Sequence, residues 1–405
     1  MAAYEESWQR GVALWRVTPW HVTPWHVIPW RLAALVAASF ALAGLGGCSL
    51  WPWSSSKPAL PELPAVTAPA NARVVWSLSL PGAGVGFQPV AAANSLFAAA
   101  RDGTVVRIDP ASGSVQWRTD LGQPLIAGVG SDGETTVVAG LDGSLIALGG
   151  DGAPKWSVPS GAEVVTVPSV ALGLVLVRTS DNRVAAFDAD TGKRRWTFHR
   201  QGPPLVLRQT SLIAMDATAA YVGLPGGRLV SLSLETGALR WEAAVAMPRG
   251  SNEIERIADV VGSPLVSGRE VCAVAFQGRV GCFESSSGRA RWARDLSSAS
   301  GLDLDASLLV VPDERGELLA FSRSGASVWR QAGLRQRGLS APLLTPRFVL
   351  VGDSTGLVHL LARDDGAIAA RLPTDASAVV AAPVAAAGLA IVQTRAGALF
   401  AISDP

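Results

Sequence analysis

The side chains most able to do chemistry are few. Three cysteines occur in 405 residues, Cys48, Cys272 and Cys282, and no two form a C-x-x-C pair, so neither a zinc ribbon nor a dithiol redox motif is spelled out. Four histidines are present, and only His199 and His359 lie beyond the first 30 residues. Cys272 and Cys282 flank Gln277-Gly278. With a three-residue hairpin loop they would face each other; with a two-residue loop they would be out of register on opposite faces. In an oxidising compartment the first arrangement gives a disulfide and the second two separate buried thiols. Charged residues make up 17% of the chain and the net charge is +1, so no long-range field steers it toward nucleic acid. Neither metal nor thiol chemistry is indicated, and the expectation is a chain with no catalytic residue, no metal and no cofactor.

What the chain repeats is a packing motif. Ile108-Asp109-Pro110-Ala111-Ser112-Gly113-Ser114-Val115-Gln116-Trp117 has a glycine four residues before a tryptophan, preceded by a strand-like run. Gly152/Trp156, Gly192/Trp196, Gly237/Trp241, Gly288/Trp292 and Gly325/Trp329 repeat the pair. From Trp76 to Trp329 the successive tryptophans lie 41, 39, 40, 45, 51 and 37 residues apart. A period near 40 with short strands in each unit is the mark of a β-propeller. Eight turn dipeptides flanked by apolar alternation (Asp102-Gly103, Asp142-Gly143, Asp181-Asn182, Gly226-Gly227, Gln277-Gly278, Arg315-Gly316, Thr355-Gly356, Ala396-Gly397) count eight units. After the first turn, Val106 and Ile108 alternate with Arg107 and Asp109, and Val115 and Trp117 with Gln116 and Arg118, so both strands read as half-buried.

The ends of the array predict how it closes. The eighth hairpin reaches Leu399-Phe400-Ala401-Ile402 and lacks its tryptophan strand, while Val74-Val75-Trp76-Ser77-Leu78 is a spare strand of that type with no hairpin before it. Pairing the two makes an eighth blade and removes the open edges. The seventh unit is degenerate, with Ala370 at the tryptophan position. The expected fold is all-β, an eight-bladed propeller of four-stranded antiparallel blades over residues 73–405.

Before the array lie a leader over 1–47 and a tether over 48–72. Residues 18–32 carry three tandem copies of a Trp/Pro-rich pentad, read either as upstream of the true translation start or as a membrane-interface anchor. Leu32 to Leu45 is an apolar run without charge, too short for an ordinary transmembrane helix and fitting a signal peptide. Leu45-Gly46-Gly47-Cys48 resembles the bacterial lipobox, in which the cysteine is lipidated and becomes the mature N-terminus; by the same resemblance Ser49 implies delivery to the outer membrane. A lipid-anchored, periplasm-facing protein is expected. Residues 49–70, rich in Ser and Pro, read as a flexible, extended tether.

The A-x-D-x-x-T-G-x-x-x-W pattern at residues 186–196 resembles pyrroloquinoline-quinone-like repeats, which build eight-bladed propellers. With a lipobox and linker before it, the chain resembles the BamB family, propeller lipoproteins of the outer-membrane β-barrel assembly machinery. Leu205-Val206-Leu207-Arg208 looks like the loop through which that family contacts its barrel partner, and Glu253 to Val260 looks like the acidic loop beside it. Val261 departs from the pattern, being acidic in familiar members. The resemblance implies a non-enzymatic scaffold that binds the periplasmic domains of a BamA-type barrel subunit through Leu205, Leu207, Arg208, Glu255 and Asp259. It also offers nascent outer-membrane strands a surface for β-augmentation, which nothing in the sequence demonstrates. On residue types alone, Leu205 and Leu207 could instead be an ordinary edge strand, Glu255 and Asp259 a solvated loop, and Lys193 to Arg195 a solvent-facing turn. The longest tryptophan spacings, 45 and 51, contain the two segments, and insertions in a propeller fall in loops. The runner-up function is a quinone-dependent periplasmic dehydrogenase, which needs a set of metal-ligating carboxylates, a general-base Asp and an adjacent-cysteine disulfide over the quinone.

Overall fold

A computed structural model describes residues 60–66, 70–207 and 211–403. Cys48, Arg208 and the Trp/Pro tandem lie outside these residues. Among the described residues there are 32 strands in eight four-stranded antiparallel sheets. Each sheet is a meander. In the first, β2 (Val90–Ala92), β3 (Ser95–Ala99), β4 (Thr104–Ile108) and β5 (Val115–Asp120) follow in order. A four-stranded meander reverses three times, so every connection between blades lies on the same face as the turns between second and third strands.

The eighth sheet has the order β1 (Val74–Leu78), β32 (Leu399–Ser403), β31 (Leu389–Gln393), β30 (Val384–Ala386). Trp76 faces Ala401 and Leu78 faces Leu399, and the Ser403 amide donates to the Arg73 carbonyl at 2.9 Å. The expected closure is therefore present: the first and last strands of the ring pair to complete one blade.

One expectation needs correcting. The third strands are not half-buried: β4 is buried at four of its five positions, on both faces. Blades stack face to face, so each middle strand is sandwiched between two neighbours and its polar alternation disappears into the core. A period of two survives in outermost strands such as β5.

The Gly-x-x-x-Trp motif works between blades rather than within one. Trp117 Nε1 donates to Gly150 O of the next blade at 3.0 Å, and a Cβ on Gly152 would fall 2.7 Å from the Trp117 ring. Six more tryptophans (76, 156, 196, 241, 292 and 329) donate in the same way to carbonyls 31 to 44 residues ahead. The glycine is required twice: its φ is positive, +69° at Gly192 for example, and the indole lies flat where its side chain would be. The turn that offers the carbonyl is closed by its own Asp; Asp188 Oδ1 accepts from the amides of Asp190 and Thr191.

The degenerate seventh unit has a physical reason. A tryptophan there would reach for the turn between third and fourth strands of the next blade. In the eighth blade that turn does not exist, because those strands are the two ends of the chain. The incoming segment fills the space instead: Ala70, Ala72 and Val74 pack on the cluster containing Ala370, and the Ala70 amide donates to Ala369 O at 2.8 Å.

Cys272 and Cys282 are directly paired in β19 (Glu270–Ala275) and β20 (Arg279–Glu284), leaving a three-residue loop, and their sulfurs are bonded with Cα atoms 4.0 Å apart. The first of the two registers is the one adopted.

Candidate docking face

Two long connections carry most of the candidate residues. Residues 200–213 join β13 (Arg194–His199) to β14 (Ala214–Met215), and residues 245–259 join β17 (Leu239–Ala244) to β18 (Val260–Ser267). Both are connections between blades, so both lie on the same face.

Asp259 brings them together. It is 4% exposed, and its Oδ2 accepts the Leu207 amide at 2.6 Å while Oδ1 accepts the Gly226 amide at 2.9 Å. The buried Arg178 guanidinium lies close enough to feel its charge; burial lowers the Arg178 pKa, and Asp259 works against that. One carboxylate thus ties a turn of blade 4 and the start of blade 5 to the first connection. Such charge-assisted bonds in a dry site are among the stronger kind. Asp259, expected either as a partner contact or as part of a solvated loop, is buried and holds the Leu207 amide from beneath.

The alternation in Leu205-Val206-Leu207 resolves accordingly. Leu207 is half-buried against the core cluster of Val261, Leu265 and Cys272, whereas Leu205 is 40% exposed with Val206 beside it. Further along the connection, the Leu212 amide donates to Ser263 Oγ at 2.7 Å and the Ile213 amide to Ser169 Oγ at 2.8 Å. The connection is thus held at Leu207 and again at Leu212 and Ile213, with Leu205 and Val206 exposed before the first of these points.

Glu255 lies on the surface of the second connection. Its Oε2 accepts the Ser251 amide at 2.8 Å and the Ser251 hydroxyl at 3.0 Å, which hold the carboxyl below its ordinary range. With its amide turned to satisfy both neighbours, Gln277 donates to Glu255 O at 2.8 Å and Ile257 O at 3.1 Å, fastening this loop to a hairpin turn. Sequence reasoning missed Met247 and Ile254, the latter 71% exposed, which add apolar surface to the same connection. The signal for Ile254 was an aliphatic inside an otherwise charged run.

A cavity of about 420 Å³ opens where five of the inter-blade connections converge. Its lining is mostly Gly, Ala, Leu, Val and Pro and carries a single carboxylate, Asp303, which accepts from the Leu304 and Leu344 amides and whose pKa is raised by burial. That donor set does not fit a metal–quinone site, which needs several carboxylates. The grouping of Glu270, Cys272 and Cys282 does not supply one either: the two sulfurs are bonded to each other and Glu270 pairs with Arg291 and Arg323.

Known proteins resemble this chain in sequence and in fold. The family model described as outer membrane protein assembly factor BamB matches residues 65–127 and 101–331. Proteins of that name from Bordetella pertussis (40% identical, over 89% of this chain and 94% of theirs) and Burkholderia pseudomallei (42%, over 80% and 86%) are similar along most of the length. The crystal structure of BamB from Moraxella catarrhalis superposes with a TM-score of 0.75 at 27% identity, covering 82% of this chain and 99% of that one. A quinohemoprotein alcohol dehydrogenase from Comamonas testosteroni reaches 0.63 at 15% identity, over 82% of this chain and 76% of that one, which is a likeness of fold alone. An eight-bladed ring locked by tryptophans, a pinned apolar loop and these relatives lead to one statement: the chain belongs to the BamB family of outer-membrane protein assembly factors.

Proposed function

We propose that this protein is a non-enzymatic assembly factor for outer-membrane proteins, held to the membrane by acyl chains on Cys48. It docks on the periplasmic domains of a BamA-type barrel subunit. The observation that carries the reading is the pinned loop: Asp259 fixes the Leu207 backbone so that Leu205 and Val206 stand exposed. A loop ordered before binding loses less conformational entropy when a partner closes over it. Leu205 and Val206 supply the apolar contact, Arg208 a charge-assisted bond to a partner carboxylate, and Glu255 a carboxylate at the edge of the patch.

A titration of the soluble chain from Ser49 onward against the periplasmic domains of its own BamA-like subunit tests this. Saturable binding is expected, weakened roughly 5- to 30-fold by Leu205→Ala and more by Arg208→Glu, as one or two kcal/mol per hot-spot side chain requires. Asp259→Ala should weaken it as well, while increasing hydrogen exchange at the Leu207 amide. Absence of binding by protein with native circular dichroism would sink the docking role.

A further inference from the structure

Part of the tether is seated. In the segment Leu60-Pro61-Glu62-Leu63-Pro64-Ala65-Val66, Arg337 Nη2 donates to Pro61 O at 3.0 Å and Arg371 Nη2 donates to Pro64 O at 2.9 Å. Leu63 packs on the core between blades 6 and 7, against the cluster of Trp329 and Ile368. Pro64 lies on Gly333, where a Cβ would fall 2.6 Å from the proline ring.

The two arginines are built into the fold. Arg337 is 8% exposed and its Nη1 reaches Asp353 at 3.4 Å; Arg371 Nε reaches His359 Nδ1 at 3.4 Å, and His359 Nε2 meets Asp353 at 3.1 Å. His359 and Asp353 are fully buried. Bonds to the His359 ring, the Thr355 hydroxyl and nearby amides overcome the effect of burial and hold the Asp353 carboxyl well below its ordinary range. Each guanidinium therefore has one side committed to a buried network and one donor aimed outward at a main-chain carbonyl. Those carbonyls are three residues apart, the repeat of a polyproline II helix, in which positions i and i+3 present their carbonyls in the same direction.

We propose that Arg337, Arg371 and Gly333 form a seat for an extended Pro-x-x-Pro segment, and that the chain fills it with its own residues 60–66 as a strap that sets the length of the tether. The recognition is of backbone carbonyls at polyproline II spacing, with a pocket for the aliphatic residue between the prolines. The consequence for reach rests on the proposed anchoring at Cys48; the seat does not. From Cys48 to Leu60 the chain spans at most about 40 Å, and from Cys48 to Arg73 at most about 85 Å, so seating the strap halves the distance the propeller can stand from its anchor.

The test uses the purified full chain and a glutamate-specific protease, following cleavage after Glu62 by mass spectrometry. Wild type should be cut at least about tenfold more slowly than Leu63→Asp, which puts a charge in the pocket, and than Gly333→Ala, which displaces the proline ring without straining the backbone; slower cleavage is what a held segment gives when opening limits the rate. A labelled peptide of residues 58–66 should bind the Leu63→Asp chain saturably and the wild type at least about tenfold more weakly, because its own strap competes at high effective concentration. Native circular dichroism and an unchanged melting temperature confirm that the ring is intact in at least one variant. Equal cleavage rates in wild type and both folded variants would overturn the proposal, as would a peptide that binds neither chain.

Discussion

Among the described residues seven indoles carry seven of the eight joints of this ring, and each of these is a contact between a ring face and a glycine with no side chain to spare. Trp241 shows the parts: Nε1 bonds Ser285 O at 2.8 Å, the ring packs 5.9 Å from that of Tyr221, and a Cβ on Gly288 would sit 2.5 Å away. Removing the buried indole leaves a cavity and a Ser285 carbonyl with only the longer Tyr221 hydroxyl contact at 3.3 Å, so Trp241→Ala should cost about 3–5 kcal/mol in urea unfolding. Tyr221 gives its hydroxyl to Asp216 at 2.6 Å; burial first, then that carboxylate, pushes the phenol up to about 12. Asp305 is the acid-sensitive case. Burial opposes its charge, but the amides of Leu308 and Ser307 and the Arg363 guanidinium prevail and hold it at about 2. A carboxyl depressed in the folded state adds stability that is complete above its unfolded value near 4 and lost as pH falls from about 4 to 2. After discounting for its partial exposure, Asp305→Asn should remove roughly 1–2 kcal/mol at pH 6 and almost nothing at pH 2, measured as the difference between two acid titrations of stability.

At the scale of elements, hairpins are what the sequence spells out best. Turn dipeptides and the Gly-x-x-x-Trp spacing are local, and a pattern within ten residues survives without any knowledge of the partner. The loop length between Cys272 and Cys282 was less legible, since one residue decides between a bond and opposite faces. The structure has three loop residues, and the disulfide staples a hairpin already paired in register. Closing so short a loop restrains the unfolded chain by roughly 2–3 kcal/mol, so the Cys272→Ser, Cys282→Ser double variant should lose about that much in a denaturant titration without reducing agent. An unchanged midpoint would mean the bond stores as much strain as it removes entropy. The burial of Asp259 was illegible for the opposite reason: its partners are 52 and 33 residues away, so an acidic residue in an acidic run looks solvated. Residues 60–66 hid similarly. A Pro-rich stretch has no apolar period, and its holding bonds go to main-chain carbonyls, which every sequence has.

For the whole molecule, counting units and matching the chain ends was enough to predict eight blades and their closure, because both are arithmetic on a repeat. What arithmetic does not give is why one unit lacks its tryptophan. Ala370 faces the place where the chain comes in, and Ala70, Ala72 and Val74 occupy the volume an indole would take. Ala370→Trp should therefore overpack the junction of blades 7 and 8 and lower stability by about 1–3 kcal/mol, although it restores the consensus of the other seven. A stabilised variant in thermal unfolding would show that the space is open.

That junction also determines how the protein bears mechanical load. Among the described residues it is the one joint of the ring made without an indole lock, and β1, which completes blade 8, is the first strand after the proposed tether. A pull on the tether would reach β1 at its Val74 end and peel its bonds to β32 one at a time, the easiest way to open a sheet. Residues 60–66 stand in the path. Force arriving from residue 59 falls first on the arginine bonds and the Leu63 pocket across blades 6 and 7, as a cable clamp takes tension before the solder joint behind it. In single-molecule pulling from the N-terminus the chain would yield in two steps, a short one as the strap lifts and a long one as the ring opens, and Gly333→Ala would erase the first.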